Sequence, residues 1–323
     1  AIFWMASKMI NVGSLQVGQL VAFIEYLFHA MFSLMLFSNV FVMYPKAQVS
    51  AERIQEILDA EPMIKNPEQG ITETNNEGTL EFENVTFVYP DGEEPVIKNV
   101  SFSAKKGETI AFIGSTGSGK STLINLIPRF YDVTEGSIRI DGIDVRKFNL
   151  KALRKKIGFI RQKNLLFTGT IKSNIKFGKP HATHDEVEHS AKIAQAYDFI
   201  TNKEKGFDEP ISEGGSNVSG GQKQRLSIAR ALVRKSEIYI FDDSFSALDF
   251  KTDAILRKAL KKETKDAIVL IVAQRIGSIM DADKIIVLDE GKVVGVGKHK
   301  ELLSTCNVYH EIALSQLTEE ELA

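Results

Sequence analysis

Apolar and polar positions follow three different patterns along this chain. From Leu20 to Tyr44 the run is almost unbroken apolar, and its only ionisable residues of note are Glu25 and His29. As a helix that run would span about 37 Å at ~1.5 Å per residue, against a hydrocarbon core of ~30 Å. A membrane-crossing helix is the first expectation. A helix buried in a protein core is the alternative, although such helices are usually shorter and carry a polar stripe. Residues 1–12 read as the tail of another apolar helix, with Gly13, Ser14 and Gly18 marking a turn before the long run. Beyond Pro45, Val49, Arg53, Ile54, Ile57 and Leu58 recur at helical spacing, so an amphipathic continuation to about residue 60 is expected. Residues 61–78, rich in Pro, Gly, Asn and Glu, read as a linker.

At Thr79 the pattern shifts to short β segments. TLEFENVTFVY, VIKNVSFSA and ETIAFIG come first, and the last runs into a Gly-rich turn. IYIFDD, AIVLIVA and KIIVLDEGKVV follow later, separated by helical patterns over residues 220–233 and 252–263. Apolar strand cores alternating with helices predict an α/β domain with a largely parallel sheet over residues 79–323. The opening segments predict an antiparallel subdomain beside it.

Composition narrows the class. Hydrophobic residues make up 43% and charged residues 25%, enough apolar content for a real core. The formal charge of −2 gives no electrostatic footprint for nucleic acid. Cys306 is the only cysteine, which excludes an internal disulfide and a cysteine metal site and suits a reducing compartment. The chain starts Ala1-Ile2-Phe3 without Met, so a fragment or processed product is expected, and it lacks the cationic n-region and small-residue cleavage site of a signal peptide.

Three motifs carry chemistry. Gly114-Ser115-Thr116-Gly117-Ser118-Gly119-Lys120-Ser121-Thr122 follows an apolar strand and opens the pattern STLINLI. That is the context of a phosphate-binding P-loop, whose glycines let backbone N–H groups fold around phosphates at a helix N-terminus. Lys120 would reach the β- and γ-phosphates of ATP, and Ser121 would ligate Mg²⁺. Asp242 ends the apolar strand IYIFDD, where such enzymes hold magnesium. Ser219-Gly220-Gly221-Gln222 opens a third helix and offers a hydroxyl, backbone donors and a dipole to an anion.

With these three motifs in one chain, residues 79 to about 317 resemble the nucleotide-binding domain of the ATP-binding cassette (ABC) superfamily. Val218 stands where that family's signature usually has Leu. The resemblance implies a P-loop fold with a parallel-sheet core, an antiparallel β subdomain and a helical subdomain. It implies adenine stacking on Tyr89, a Q-loop glutamine at Gln162 that touches Mg²⁺, and a D-loop at Ser246-Ala247-Leu248-Asp249 that crosses to a partner domain. Arg161 replaces the Pro common before that glutamine, and Glu213 lies in a pre-signature stretch typical of exporters. Residues 1–60 resemble the last transmembrane helix and connector of an exporter. The cassette would then be cytoplasmic and the helix in the cell membrane, in contact with lipid; Lys46 and Arg53 fit that orientation.

Two positions depart from the family. Asp243 occupies the place of the catalytic glutamate, and Gln274, in Ala273-Gln274-Arg275, that of the switch histidine. Asp243 keeps a carboxylate on a shorter arm, and Gln274 can donate a hydrogen bond but carries no charge. Both changes should impair a hydrolysis that depends on positioning. The resemblance therefore implies an exporter half-transporter with a degenerate site. Its partner would be a second half-transporter, in a heterodimer or else a homodimer. A soluble ABC ATPase and a nucleotide-binding regulatory subunit without turnover remain the competing classes. Glu25 and His29, four residues apart on one helix face, would either line a substrate cavity or, for Glu25, reach interfacial water. The substrate is not legible.

Overall fold

The computed structural model describes residues 2–75 and 78–316. Two residues of the expected linker and the expected end of the cassette at 317–323 lie outside them. Backbone contacts divide the chain into two compact units, Ala1–Met63 and Ile64–Ala323.

The first unit is two helices, α1 (Ile2–Asn11) and α2 (Val17–Asp59). Gly18 lies inside α2 rather than in the turn before it. The reason is a cap in which Gln16 N donates to Gln19 Oε1 at 3.0 Å while Gln19 N donates to Gln16 O at 3.0 Å, starting the helix at Val17. α2 runs 43 residues and passes through Pro45, which cannot donate to the carbonyl of Phe41. The apolar run and its amphipathic continuation are therefore one helix. Its most apolar 18 residues have a mean hydropathy of 1.9, and none is buried within the unit. An apolar surface of this length left open by its own chain calls for lipid or neighbouring helices.

The second unit stacks two sheets. An antiparallel sheet has the order β2 (Ile97–Lys105), β1 (Thr79–Phe87), β4 (Glu135–Ile140), β5 (Ile143–Asp144). The main sheet has the order β12 (Lys292–Gly297), β11 (Lys284–Asp289), β3 (Thr109–Ile113), β10 (Ile268–Val272), β9 (Ile238–Asp242), β6 (Ile157–Ile160). All its pairs are parallel except β11 with β12. The run KIIVLDEGKVV is thus a hairpin, not one strand. Glu290 and Gly291 turn it with φ of 43° and 81°, the left-handed pair that a two-residue hairpin needs.

Strands that read as continuous apolar runs do so because both faces are covered. In β10, Ile268, Leu270 and Val272 join the core beneath the antiparallel sheet and α3 (Lys120–Leu126), with Ile110 and Phe112 of β3. Val269 and Ile271 turn to the opposite core, with Ala111, Ile113, Phe241 and the helices beyond. Those helices include α8 (Gly220–Leu232), α9 (Phe250–Glu263), α10 (His299–Thr305) and α11 (Asn307–Leu314). Between β6 and α8 lies a helical arm of α5 (Ile171–Lys176), α6 (His184–Ile193) and α7 (Tyr197–Thr201), with a two-strand ribbon of β7 (Gly169–Thr170) and β8 (Pro210–Ile211). The short α4 (Leu150–Lys155) precedes β6.

An ionic knot ties the entry of the unit to its sheets. Asp141, its side chain 1% exposed, accepts from Thr74 Oγ1 at 2.5 Å, Gly78 N at 2.8 Å and Lys156 Nζ at 3.3 Å. Lys156 also reaches Glu237 at 2.6 Å. Burial alone would push the Asp141 carboxyl up; the hydroxyl, the Gly78 and Thr79 amides and the Lys156 charge outweigh it and hold the group below the usual carboxylate range.

Candidate functional site

The carboxyl ends of β3, β6, β9 and β10 converge, as ligand sites in open α/β sheets do. Each delivers one of the expected segments: the loop 114–119 after β3, Arg161-Gln162 after β6, Asp242-Asp243 at the end of β9, and Ala273-Gln274 after β10. A cleft of about 390 Å³ there is lined by Val96, Thr116, Gly117, Gly119, Lys120, Ser121, Thr122, Gln162, Asp242, Asp243, Val272 and Gln274. Another cleft, of about 450 Å³ beneath α9, contains none of the motifs.

The loop's shape depends on glycine. Gly114 has φ 154°, and a Cβ there would lie 2.0 Å from Leu288 O; Gly119 has φ 95°, and a Cβ would meet Ile97 Cδ1 at 2.7 Å. Lys120 opens α3 and folds back into the loop. Its Nζ donates to Gly114 O at 2.8 Å, Ser115 O at 2.7 Å and Ser118 Oγ at 3.2 Å. Burial lowers its pKa, and the charges of Asp242 and Asp243 oppose that shift.

Ser121 Oγ donates to Asp242 Oδ1 at 3.0 Å, with Asp242 only 9% exposed. Burial and then the neighbouring Asp243 raise the Asp242 carboxyl, against the Ser121 hydrogen bond and Lys120. Among the described residues no cluster of three or more His, Cys, Asp or Glu could hold a metal. A hydroxyl beside one carboxylate suits Mg²⁺, which keeps waters and takes its remaining oxygens from phosphates. These residues fit that ion.

Asp243 sits at φ 48°, a left-handed conformation in which Asp is enriched. Its N–H donates to Val272 O at 2.9 Å, which locks β9 to β10. Its Oδ2 accepts from Gln162 Nε2 at 3.1 Å and from Gln274 Nε2 at 3.0 Å. Burial raises the Asp243 carboxyl, opposed by Gln162 and by the charges of Arg275 and Lys120. Arg161, in place of the expected Pro, lies with its guanidinium 5.4 Å from the Phe130 ring centre.

Tyr89 lies beside the cleft. Its hydroxyl is 3.0 Å from Thr122 Oγ1, and its ring meets Phe87 and Tyr131 edge-on. The remaining expected residues stand apart from this cleft. Ser219 caps α8, accepting from Gln222 N at 3.3 Å while its own N–H donates to Gln222 Oε1 at 3.1 Å. No atom lies within 4 Å of where a Gly220 side chain would start, and at Gly221 the nearest is Ala247 O at 3.1 Å. Asp249 caps α9 through Thr252 N at 2.9 Å, and Ser246 Oγ donates to Asp243 O at 3.0 Å. Val96, Val272 and Arg275 were not singled out from sequence; only the position of Arg275 next to Gln274 could have flagged it.

Residues 97–246 match the family described as ABC transporter. The chain is 40% identical over 320 residues to an uncharacterized ABC transporter ATP-binding protein of Mycobacterium tuberculosis, covering 98% of this chain and 55% of that protein. It is 43% identical over 319 residues to another such protein, YfiB of Bacillus subtilis, covering 99% of this chain and 55% of that protein. It therefore spans about half the length of the curated relatives it matches. Among solved structures, a bacterial Atm1-family ABC exporter with ATP bound superposes with a TM-score of 0.81 at 32% identity, over 95% of this chain and 54% of that one.

Proposed function

We propose that this chain is part of an ABC exporter half-transporter with a membrane helix and a nucleotide-binding domain, and that its own P-loop site holds Mg-ATP but turns it over slowly. Lys120 leaves the loop carbonyls to meet the β- and γ-phosphates, and the backbone N–H groups of residues 114–119 surround them. Ser121 and Asp242, with Gln162 nearby, would hold Mg²⁺, which would neutralise the charge of the phosphates. Tyr89 turns its ring to adenine.

The observation that carries the slow-turnover reading is the state of Asp243. A carboxylate one methylene short of glutamate, already accepting two glutamine amides on one oxygen, is poorly placed to orient an attacking water. Gln274 adds a donor for the γ-phosphate without charge.

Ser219, Gly220, Gly221 and Gln222 keep the signature intact apart from Val218 at its head, with Ser219 and Gly220 exposed at the start of α8 and Gly221 and Gln222 half-buried. They serve the ATP site of the opposite subunit, with Asp249 and the rest of the D-loop at the same junction. Two copies of this chain would make two impaired sites. A partner half-transporter that carries Glu and His at the matching positions would leave one competent site and one that mainly retains ATP. The assembly sits in the cell membrane with its cassettes in the cytoplasm, and ATP binding draws them together to drive export.

The test is ATPase activity of the membrane-complete heterodimer. Replacing the partner's catalytic glutamate is expected to abolish most turnover, while Asp243→Ala costs little. Brisk turnover by a homodimer of this subunit, lost on Asp243→Ala, would make Asp243 a working base and overturn the reading.

A further inference from the structure

The loop that carries Gln274 is held by side chains from distant parts of the chain. β10 ends at Val272, and the next regular element is a 3-10 turn over Ile276–Ser278. Gln316, two residues beyond α11, accepts from Ile276 N at 2.9 Å through Oε1. Through Nε2 it donates to Gln274 O at 2.7 Å. One planar amide thus satisfies a donor and an acceptor on either side of Arg275. Arg257 of α9 adds a third tie, donating to Gly277 O at 2.8 Å while its guanidinium is held by Asp253 at 3.0 Å. Of these two side chains, only Gln316 bonds the residue whose amide reaches Asp243.

The element behind Gln316 is firmly seated. Tyr309 of α11 is fully buried, its hydroxyl 2.7 Å from His299 Nδ1, and Ala313 is fully buried one turn on. A glutamine at the switch position carries no charge, so its bond to a phosphate oxygen depends on alignment more than an imidazolium's would. Alignment of Gln274 requires that its own backbone be fixed.

We propose that Gln316 is a positioning residue for the nucleotide site: it clamps the backbone of residues 274–276 so that the Gln274 amide presents to the γ-phosphate. This rests on the reading that Lys120 and its neighbours bind ATP. It assigns the segment just after α11 a share in telling ATP from ADP, since ADP lacks the group to which Gln274 would present its amide.

The experiment uses the whole chain in detergent with Mg²⁺, titrated by calorimetry with the β,γ-imido analogue of ATP and with ADP. Gln316→Met keeps the length and removes both bonds; Gln316→Glu keeps the acceptor for Ile276 and removes the donor to Gln274. Both variants are expected to bind the analogue about three- to tenfold more weakly, the range for losing one or two aligned hydrogen bonds, with ADP affinity unchanged within about twofold. Exchange of the Ile276 amide should quicken in Gln316→Met and stay protected in Gln316→Glu. A parallel loss for ADP would reduce Gln316 to a general structural role, and unchanged analogue affinity in both variants would overturn the inference alone. If the unaltered chain binds neither nucleotide, the nucleotide-site reading itself fails and takes this one with it.

Discussion

Gln274 Nε2 donates to Asp243 Oδ2 at 3.0 Å, so the side chains proposed for the switch and catalytic positions are bonded to each other. The backbone permits this: Val272 pairs with Asp242 in the register of β10 and β9, and the next residues emerge side by side. A glutamine can close the bond as a neutral donor, and a short carboxylate can accept it without leaving its left-handed turn.

Restoring the family residues at both positions should raise turnover. Asp243→Glu with Gln274→His is expected to increase phosphate release from this subunit's site by about a hundredfold, the low end of what a positioned base and acid contribute. The measurement is steady-state release in the heterodimer whose partner glutamate has been removed. Turnover unchanged by the double replacement would mean that these two residues do not limit the site.

Lys120→Ala should weaken Mg-ATP binding at least about tenfold to a hundredfold, because it removes charge-assisted bonds worth ~1.5–3 kcal/mol. It also strips Gly114 O and Ser115 O of their donor. Calorimetry on the intact chain checks it, and retained affinity would contradict the P-loop reading.

Gly114→Ala tests the loop's shape without touching a charge. Its Cβ would fall 2.0 Å from the carbonyl oxygen of Leu288, on a central strand that cannot retreat. Nucleotide binding should be lost, and the cassette should be less stable by more than about 2 kcal/mol, the scale of overpacking combined with backbone strain. Gly117→Ala meets no atom within 4 Å and should be milder, with only its positive φ to oppose it. Equal melting temperatures for the two variants would refute this.

Asp141→Asn should destabilise the Ile64–Ala323 unit by about 3 kcal/mol at pH 7, the usual scale for breaking a buried ion pair from one side. The Asp141 carboxyl is held below its unfolded value near 3.8. Its contribution is therefore complete above that value and is lost as pH falls through the lower, folded one. Denaturant melts should show the gap between wild type and variant closing only below about pH 4. A gap independent of pH down to 2 would assign the effect to packing instead.

The intact chain should require detergent, whereas residues 64–323 should dissolve without it, because the exposed apolar surface of α2 goes with the first unit. Sedimentation of both forms decides the matter. A monodisperse intact chain in plain buffer would rule out the membrane assignment for residues 20–44.

The sequence made the chemistry more legible than the architecture. The P-loop and the Asp-ended strand were readable because glycine spacing and apolar strands are local signals, and the structure lines one cleft with both. β6 was not: four residues, Ile157–Ile160, are too few for a period, yet this strand places Gln162. The hairpin at Glu290 was hidden because Glu is an uncommon left-handed residue and the apolar run barely breaks there. Strand order, with β3 between β11 and β10, rests on pairings between segments more than 150 residues apart, which no local pattern records. The bond from Gln316 to the loop of Gln274 is equally remote, and a glutamine just past α11 gives no signal.

The lock between β9 and β10 has a bearing on descent. Asp243 N bonds Val272 O, and the alternation of Ile268, Leu270 and Val272 against Val269 and Ile271 fixes the frame by main chain and core alone. The Gln274–Asp243 side-chain bond adds a tie where the two strands end, outside that main-chain and core frame. Lineages can therefore exchange residues at these two positions by point substitution while the scaffold around them is inherited unchanged. An insertion of one residue in β10 would instead invert both cores at once. A site set on such a frame can change its side chains without ceasing to fold.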